Sequence, residues 1–290
     1  MNHIRVFTAE AERFKLDGGA MFGVVPKAIW NRLNPSDEQN LCTWTMRSLL
    51  IVESNRKIII DTGIGNKQGD RFRSFFHPHG DDLSTSLIKI GYDPGEITDV
   101  IITHFHFDHV GGALILDKKN KIVPTFPNAT YWTNDIHYQW AYDPNPREKD
   151  SFLKENFVPL KEMGILKSID VQQGVQFTDA ISIYFYDGHT EAMMVPHVKL
   201  PNGKTLVYAT DLLPSAHHVK MPYIMAYDIR PLVTLKEKEI FYEIVANEDH
   251  FIFFEHDKDN ECGMIQISNG GKVEVVNRGD LNSYVYDKIG

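Results

Sequence analysis

The sequence predicts an α/β fold, and three observations carry that expectation. Short runs of β-branched and aromatic residues recur along the chain, and several end abruptly in a histidine or an aspartate. Helix-compatible stretches and glycine turns separate those runs. The 290 residues are 42% hydrophobic and 24% charged, ordinary for a globular protein with a sizeable core. That length is large for one domain but within reach of an α/β sandwich. A single domain over residues 1–290 is therefore expected, with an irregular cap or interface segment at about 117–165.

Residues 3–8 alternate as an edge strand does. Between Asp17 and Trp30, three glycines and a proline argue against a regular helix, although Met21, Phe22, Val24, Val25 and Trp30 are strongly apolar. An apolar loop of this kind is either a plug on the core or one wall of a pocket. Thr45–Val52 and Lys57–Ile60 read as strands around a turn, and the second ends in Asp61-Thr62-Gly63. Asp61 thus sits at the carboxyl end of a strand, where open α/β sheets bind ligands. Residues 66–82 read as loop, with His77 and His79 at the surface, and Leu83–Gly91 as helix. Ala113–Leu116 reads as the start of a helix. Five prolines then break residues 117–165, where interleaved aromatics suit a cap or a subunit contact and His137 is structural. Strands at Ile181–Tyr186, Lys204–Thr210 and Phe251–Phe254 are followed by His189, Asp211 and His256, and a hairpin turning at Asn269-Gly270-Gly271 closes the chain.

The densest chemistry lies at His104-Phe105-His106-Phe107-Asp108-His109, after the apolar run ending at Thr103 and before Gly111-Gly112. Imidazole nitrogens and carboxylate oxygens are good ligands for zinc and similar first-row metals. Alternate residues of an extended segment point the same way, so His104 and His106 face one point. Asp108 and His109 follow where the backbone turns and face a second, which suggests two metals.

The net charge of −9, with no long basic run, argues against nucleic acid and against anionic membranes as partners. Two cysteines, Cys42 and Cys262, are too few for a disulfide framework or a cysteine zinc site and read as buried thiols. No apolar stretch approaches the ~20 residues of a membrane span, and the first residues carry no signal-peptide pattern, so the cytoplasm is the expected compartment.

These motifs, in this order, resemble the metallo-β-lactamase superfamily over most of the chain. The resemblance implies a four-layer αβ/βα sandwich of two mixed β-sheets with outer helices, holding two divalent ions, zinc by ligand type. It assigns His104, His106 and His189 to one metal, Asp108, His109 and His256 to the other, Asp211 as the bridge, and Asp61 as support for a ligand imidazole. Asp228, with no strand before it, is expected to take no part.

The bridging aspartate is absent from true β-lactamases of this fold, and histidine at 106 argues against the diiron electron-transfer branch. Glyoxalase II-like thioesterases, quorum-quenching lactonases and methyl parathion hydrolase-like enzymes share all seven ligands. The segments 17–30 and 211–218 resemble the last two, and scattered C-terminal basic residues weaken the thioesterase reading. The implied reaction opens a lactone or ester, as in acyl-homoserine lactonases, through a hydroxide available at neutral pH because bound water falls to a pKa of roughly 7. Asp108 would relay the proton to the leaving group. An organophosphate triester or aryl ester is the alternative substrate, and a non-enzymatic metal module the third reading. Met21, Phe22, Val24, Phe107, Met221 and Ile224 are candidates to line a groove for a small-molecule substrate. Lactonases often carry a tyrosine three residues after the bridging aspartate; Pro214 stands there, leaving His217, His218 or Tyr223 as replacement donors. A homodimer is compatible with this reading.

Overall fold

A computed structural model describes residues 4–285. The chain forms two compact units, one from residues up to 14 together with 45–171, the other from 15–44 together with 172 onward.

The first unit is built on a six-stranded sheet. Its spatial order is Ile4–Asp17, Leu41–Glu53, Arg56–Ile60, Asp99–Ile101, Thr130–Thr133 and Leu166–Ser168. Leu41–Glu53 and Arg56–Ile60 pair antiparallel; from Arg56–Ile60 onward the pairings are parallel. Ile58, Ile59, Ile60, Val100 and Ile101 are all fully buried, as central parallel strands require. The parallel register sets Ile60 opposite Ile101, so Asp61 and the histidine motif leave the sheet from adjacent strand ends.

The second unit carries a seven-stranded sheet in the order Val273–Gly279, Cys262–Ile267, His250–Phe253, Thr205–Tyr208, Met193–Lys199, Ile181–Tyr186 and Val175–Gln176. Thr205–Tyr208 and His250–Phe253 run parallel, with Tyr208 opposite Phe253. Asp211 and His256 each follow three residues later, so register alone brings them level. His189 lies in the turn between the antiparallel strands Ile181–Tyr186 and Met193–Lys199. Helix Pro231–Val245 packs Phe241, Tyr242 and Val245 onto a core that includes Val207 and Ile252. This 15-residue helix has no counterpart in the sequence reading.

Other expectations change as well. Residues 17–30 contain two short helices, Gly18–Phe22 and Lys27–Trp30. Asp17 caps the first by accepting from the Ala20 N–H. Gly18 is there for packing, since a Cβ would lie 2.5 Å from the Trp30 ring. The loop expected at 66–82 holds helix Asp70–Phe76, because Phe72 and Phe76 find an apolar partner in Phe107 at 5.2 and 4.5 Å between ring centroids. His77 and His79 are exposed, as expected. Ala113–Leu116 does not begin a helix. Leu114–Leu116 is a strand paired with Ile122–Pro124, and the Lys67 ammonium takes the Gly111 and Leu114 carbonyls. The stretch 117–165 is more regular than expected: Thr130–Thr133 is an inner strand of the sheet, and Asp135–Tyr142 and Val158–Glu162 are helices. Pro124 ends the strand Ile122–Pro124, Pro127, Pro144 and Pro146 fall between elements, and Pro159 lies in the first turn of its helix. Cys42 and Cys262 are both buried.

The histidine motif is clamped from behind by backbone. Thr62 N–H donates to the His109 carbonyl at 2.7 Å, and Gly112 N–H to the Gly63 carbonyl at 2.8 Å. A Cβ on Gly112 would stand 2.0 Å from the Thr62 carbonyl oxygen, and one on Gly111 2.1 Å from that of Ile64. Backbone cannot yield as a flexible side chain does. Gly112→Ala is therefore expected to lower stability by about 3 kcal/mol, read as a fall in the urea midpoint; an unchanged midpoint would show that the clamp has slack.

Candidate metal centre

In the first unit, His104, His106 and His109 are buried, and Asp61 beneath them is fully buried. Asp61 adopts a left-handed backbone, φ +56°, which turns its carboxylate under the motif. Its Oδ1 accepts from the Thr103 N–H at 2.8 Å, and its Oδ2 from the Thr103 hydroxyl at 2.6 Å. Oδ2 also lies 3.1 Å from His109 Nδ1. An ionised carboxylate only accepts, so His109 carries its proton on Nδ1 and presents the Nε2 lone pair. Thr103 has spent its one hydroxyl proton on Asp61, so at 3.1 Å it accepts from His104 Nδ1. His104 likewise presents Nε2, which faces His106 Nδ1 at 3.1 Å. Asp108 Oδ2 lies 3.9 Å from His109 Nε2. Helix Phe107–Val110, with His106 at its N-cap, provides the turn that separates His104 and His106 from Asp108 and His109.

In the second unit, Asp211 sits on the turn Thr210–Leu212, beyond its strand. Thr210 is held at φ +43°, a costly backbone for a β-branched residue. Asp211 Oδ2 is 3.0 Å from His189 Nε2, and Oδ1 is 3.1 Å from His256 Nε2. One carboxylate thus offers one oxygen to each of two imidazoles. Behind His189, Asp228 Oδ1 lies 2.9 Å from Nδ1, and Asp228 Oδ2 accepts from the Thr234 hydroxyl at 2.7 Å. Burial pulls the His189 pKa down, but Asp211 and then Asp228 outweigh it and raise it to about 10. The pocket therefore favours positive charge at this ring, which a metal cation supplies as well as a proton does. Imidazole and carboxylate donors, all buried, fit a borderline first-row divalent ion.

Asp228 overturns one expectation. No strand precedes it, yet it is buried and holds His189 from behind. Its position is fixed by Thr234 in the first turn of helix Pro231–Val245, and that helix was not foreseen. His137 is structural, as expected: its Nε2 accepts from the Phe105 N–H at 2.8 Å.

The proposed substrate-side residues fall into two groups. Met21, Phe22 and His218 are buried, and Phe22 stacks on His218 at 5.0 Å. His218 spends both ring nitrogens, Nε2 on the Met21 carbonyl and Nδ1 on the Ser215 hydroxyl, and burial pushes its pKa down to about 3. Its ring is thus committed within the unit. Tyr223 sets its edge against Phe22, while His217, Met221 and Ile224 are half-buried and Val24 is 86% exposed. Phe107 packs on Phe72 and Phe76. Lys238 holds this loop in place. Its buried ammonium donates to the carbonyls of His218, Lys220 and Tyr223 at 2.6, 2.8 and 3.2 Å, and burial pulls its pKa down to about 7.

Carboxylates behind metal-binding imidazoles commonly carry 10–100-fold in metal affinity. Asp228→Asn is therefore expected to weaken binding at one metal site by about tenfold or more, measured by chelator competition. Unchanged affinity would reduce Asp228 to a packing residue.

The Lactamase_B family, described as the metallo-beta-lactamase superfamily, matches residues 47–256. The N-acyl homoserine lactonase AttM of Rhizobium radiobacter is 22% identical over 172 residues, 59% of this chain and 62% of that protein. The chain thus spans a little under two thirds of the length of that relative. A probable metal-dependent hydrolase from Staphylococcus aureus superimposes with a TM-score of 0.84 at 24% identity, covering 95% of this chain and 96% of that one. AidC, a dizinc quorum-quenching lactonase in complex with N-hexanoyl-L-homoserine product, gives a TM-score of 0.77 at 19% identity, covering 97% of each. With the family match extending from the second strand to the last candidate ligand, the chain belongs to the metallo-beta-lactamase superfamily and has its fold.

Proposed function

We propose that the protein is a dinuclear metal-dependent hydrolase that opens a lactone, with N-acyl homoserine lactones as the substrate class. The observation that carries this reading is Asp211, whose two oxygens each face a different imidazole, as a carboxylate shared between two cations requires. In this reading His104, His106 and His189 form one ligand set with Asp211, and Asp108, His109 and His256 the other. Zinc is the proposed metal, on ligand type and on the dizinc lactonase of the same fold.

Bound there, two divalent ions would supply an acidified water and a polarised substrate carbonyl. The chain's own residues do the rest. Asp211 would hold both ions through its two oxygens, and its negative charge would offset their mutual repulsion. Asp61 and Asp228 keep the proton of His109 and His189 on Nδ1, so each ring would offer Nε2 to an ion. Asp108, at the start of its short helix, carries a proton to the alkoxide released when the lactone C–O bond breaks. The loop stapled by Lys238 gives the second unit a preorganised, partly apolar surface around Met221, Tyr223 and Ile224 for an acyl chain. Pro214 removes the usual lactonase tyrosine, so an aryl ester or phosphotriester stays in the comparison set.

Elemental analysis of the purified protein is expected to give two divalent ions per chain. A pH-stat screen should find acyl-homoserine lactone turnover faster than aryl ester, thioester or phosphotriester turnover. A metal-free protein, or one inert to lactones, would refute the reading. Asp211→Asn should keep the fold by circular dichroism, weaken one metal site more than the other, and cut turnover by at least about a hundredfold.

A further inference from the structure

The ring orientations of the first-unit histidines leave one proton to be explained. His104 and His109 each have Nδ1 held from behind, by Thr103 and Asp61, and present Nε2. His106 is reversed: its Nδ1 faces His104 Nε2 at 3.1 Å, so its rear nitrogen is Nε2. A neutral imidazole has one N–H and one lone pair, and it offers Nδ1 to a cation only while the proton stays on Nε2.

Glu148 lies behind that nitrogen. Its Oε1 is 3.6 Å from His106 Nε2, an ion-pair distance longer than a direct hydrogen bond. The carboxylate is 3% exposed. Its other oxygen accepts from the Trp140 indole N–H at 2.8 Å and from the Asn145 amide at 2.5 Å. Asn145 also accepts from the Glu148 N–H at 3.2 Å, closing the turn that carries the glutamate. These two donors act on Oε2, and Oε1 is the oxygen that faces the ring. Phe152 packs against His106 at 4.9 Å between centroids and narrows the ring's freedom to swing. A carboxylate buried this deeply is retained where positive charge faces it. The imidazole N–H supplies that, and more strongly when its far nitrogen binds a cation. The aromatic segment 117–165 thereby gains a specific task for Trp140 and Phe152.

We propose that Glu148 is the positioning residue for His106: it holds the imidazole in its Nε2–H form and so presents Nδ1 to a divalent metal. The inference rests on His106 being a ligand, as proposed above. Glutamine at 148 matches the size but not the charge. An amide N–H turned toward the ring would draw the lone pair to Nε2 and leave the proton on Nδ1, the nitrogen that has to bind.

The test is cobalt(II) titration of the metal-stripped protein, followed by visible absorption and chelator competition, with thermal unfolding of the stripped protein alongside. Glu148→Gln is expected to lose 10–100-fold in affinity at one of two sites and to shift its cobalt absorption, with the metal-free melting temperature retained. Trp140→Phe, which removes one anchor of Oε2, should weaken the same site by a smaller factor. It also serves as the deciding variant should Glu148→Gln fail to fold. Wild-type affinity and spectrum in the folded variants would overturn the proposal while leaving the metal centre standing. So would a lowered melting temperature with unchanged affinity. A wild-type protein that takes up no cobalt would overturn the functional reading, and this inference with it.

Discussion

The candidate centre depends on one constraint: a buried imidazole binds a cation only if something behind it keeps its proton on the opposite nitrogen. Asp61 meets that constraint for His109 directly and for His104 through Thr103. Asp228 meets it for His189, with Thr234 holding the second oxygen. Each carboxylate is buried, and each is tied by hydroxyl or backbone donors, as burial demands. The supporting residues are as specific as the ligands, because a wrong tautomer removes a ligand without moving an atom of the backbone.

Placing Asp61 and Asp211 costs backbone energy. Asp61 and Thr210 both adopt left-handed conformations that side chains other than glycine avoid, at about 1–3 kcal/mol each. Both follow the last residues of buried strands, where the sheet fixes the direction of approach and leaves no room to relax. Gly111 and Gly112 complete the arrangement by letting the turn at 62–65 lie directly against the motif. Stability spent at the strand ends is recovered in the strands themselves, whose isoleucines and valines are fully buried.

The second unit shows a different economy. Loops 17–30 and 215–228 carry no long elements, yet the Met21 carbonyl is tied to the His218 ring and the Ala226 N–H to the Ala20 carbonyl. Lys238, from the longest helix, gathers three carbonyls of the later loop onto one buried ammonium. A loop held this way keeps its shape without secondary structure, which suits a surface that must meet a ligand repeatedly in the same geometry.

The sequence by itself determined the strands that end in ionisable residues, because buried β-runs and the tight H-x-H-x-D-H spacing are local signals. Asp61 was legible for the same reason, as an aspartate following Ile58-Ile59-Ile60. Burial of both cysteines and a structural His137 also followed from composition and context. Helix Pro231–Val245 was not legible, since its buried face includes Thr234 and Lys238, which break an apolar stripe and become sensible only against Asp228 and three loop carbonyls. Helix Asp70–Phe76 needed Phe107, more than thirty residues away, to give its aromatics a partner. Leu114–Leu116 became a strand because Ile122–Pro124 pairs with it. Asp228 and Glu148 carry no local pattern at all. Their roles are set by which ring nitrogen faces inward, and only the tertiary structure decides that, because it fixes the direction from which each imidazole is approached.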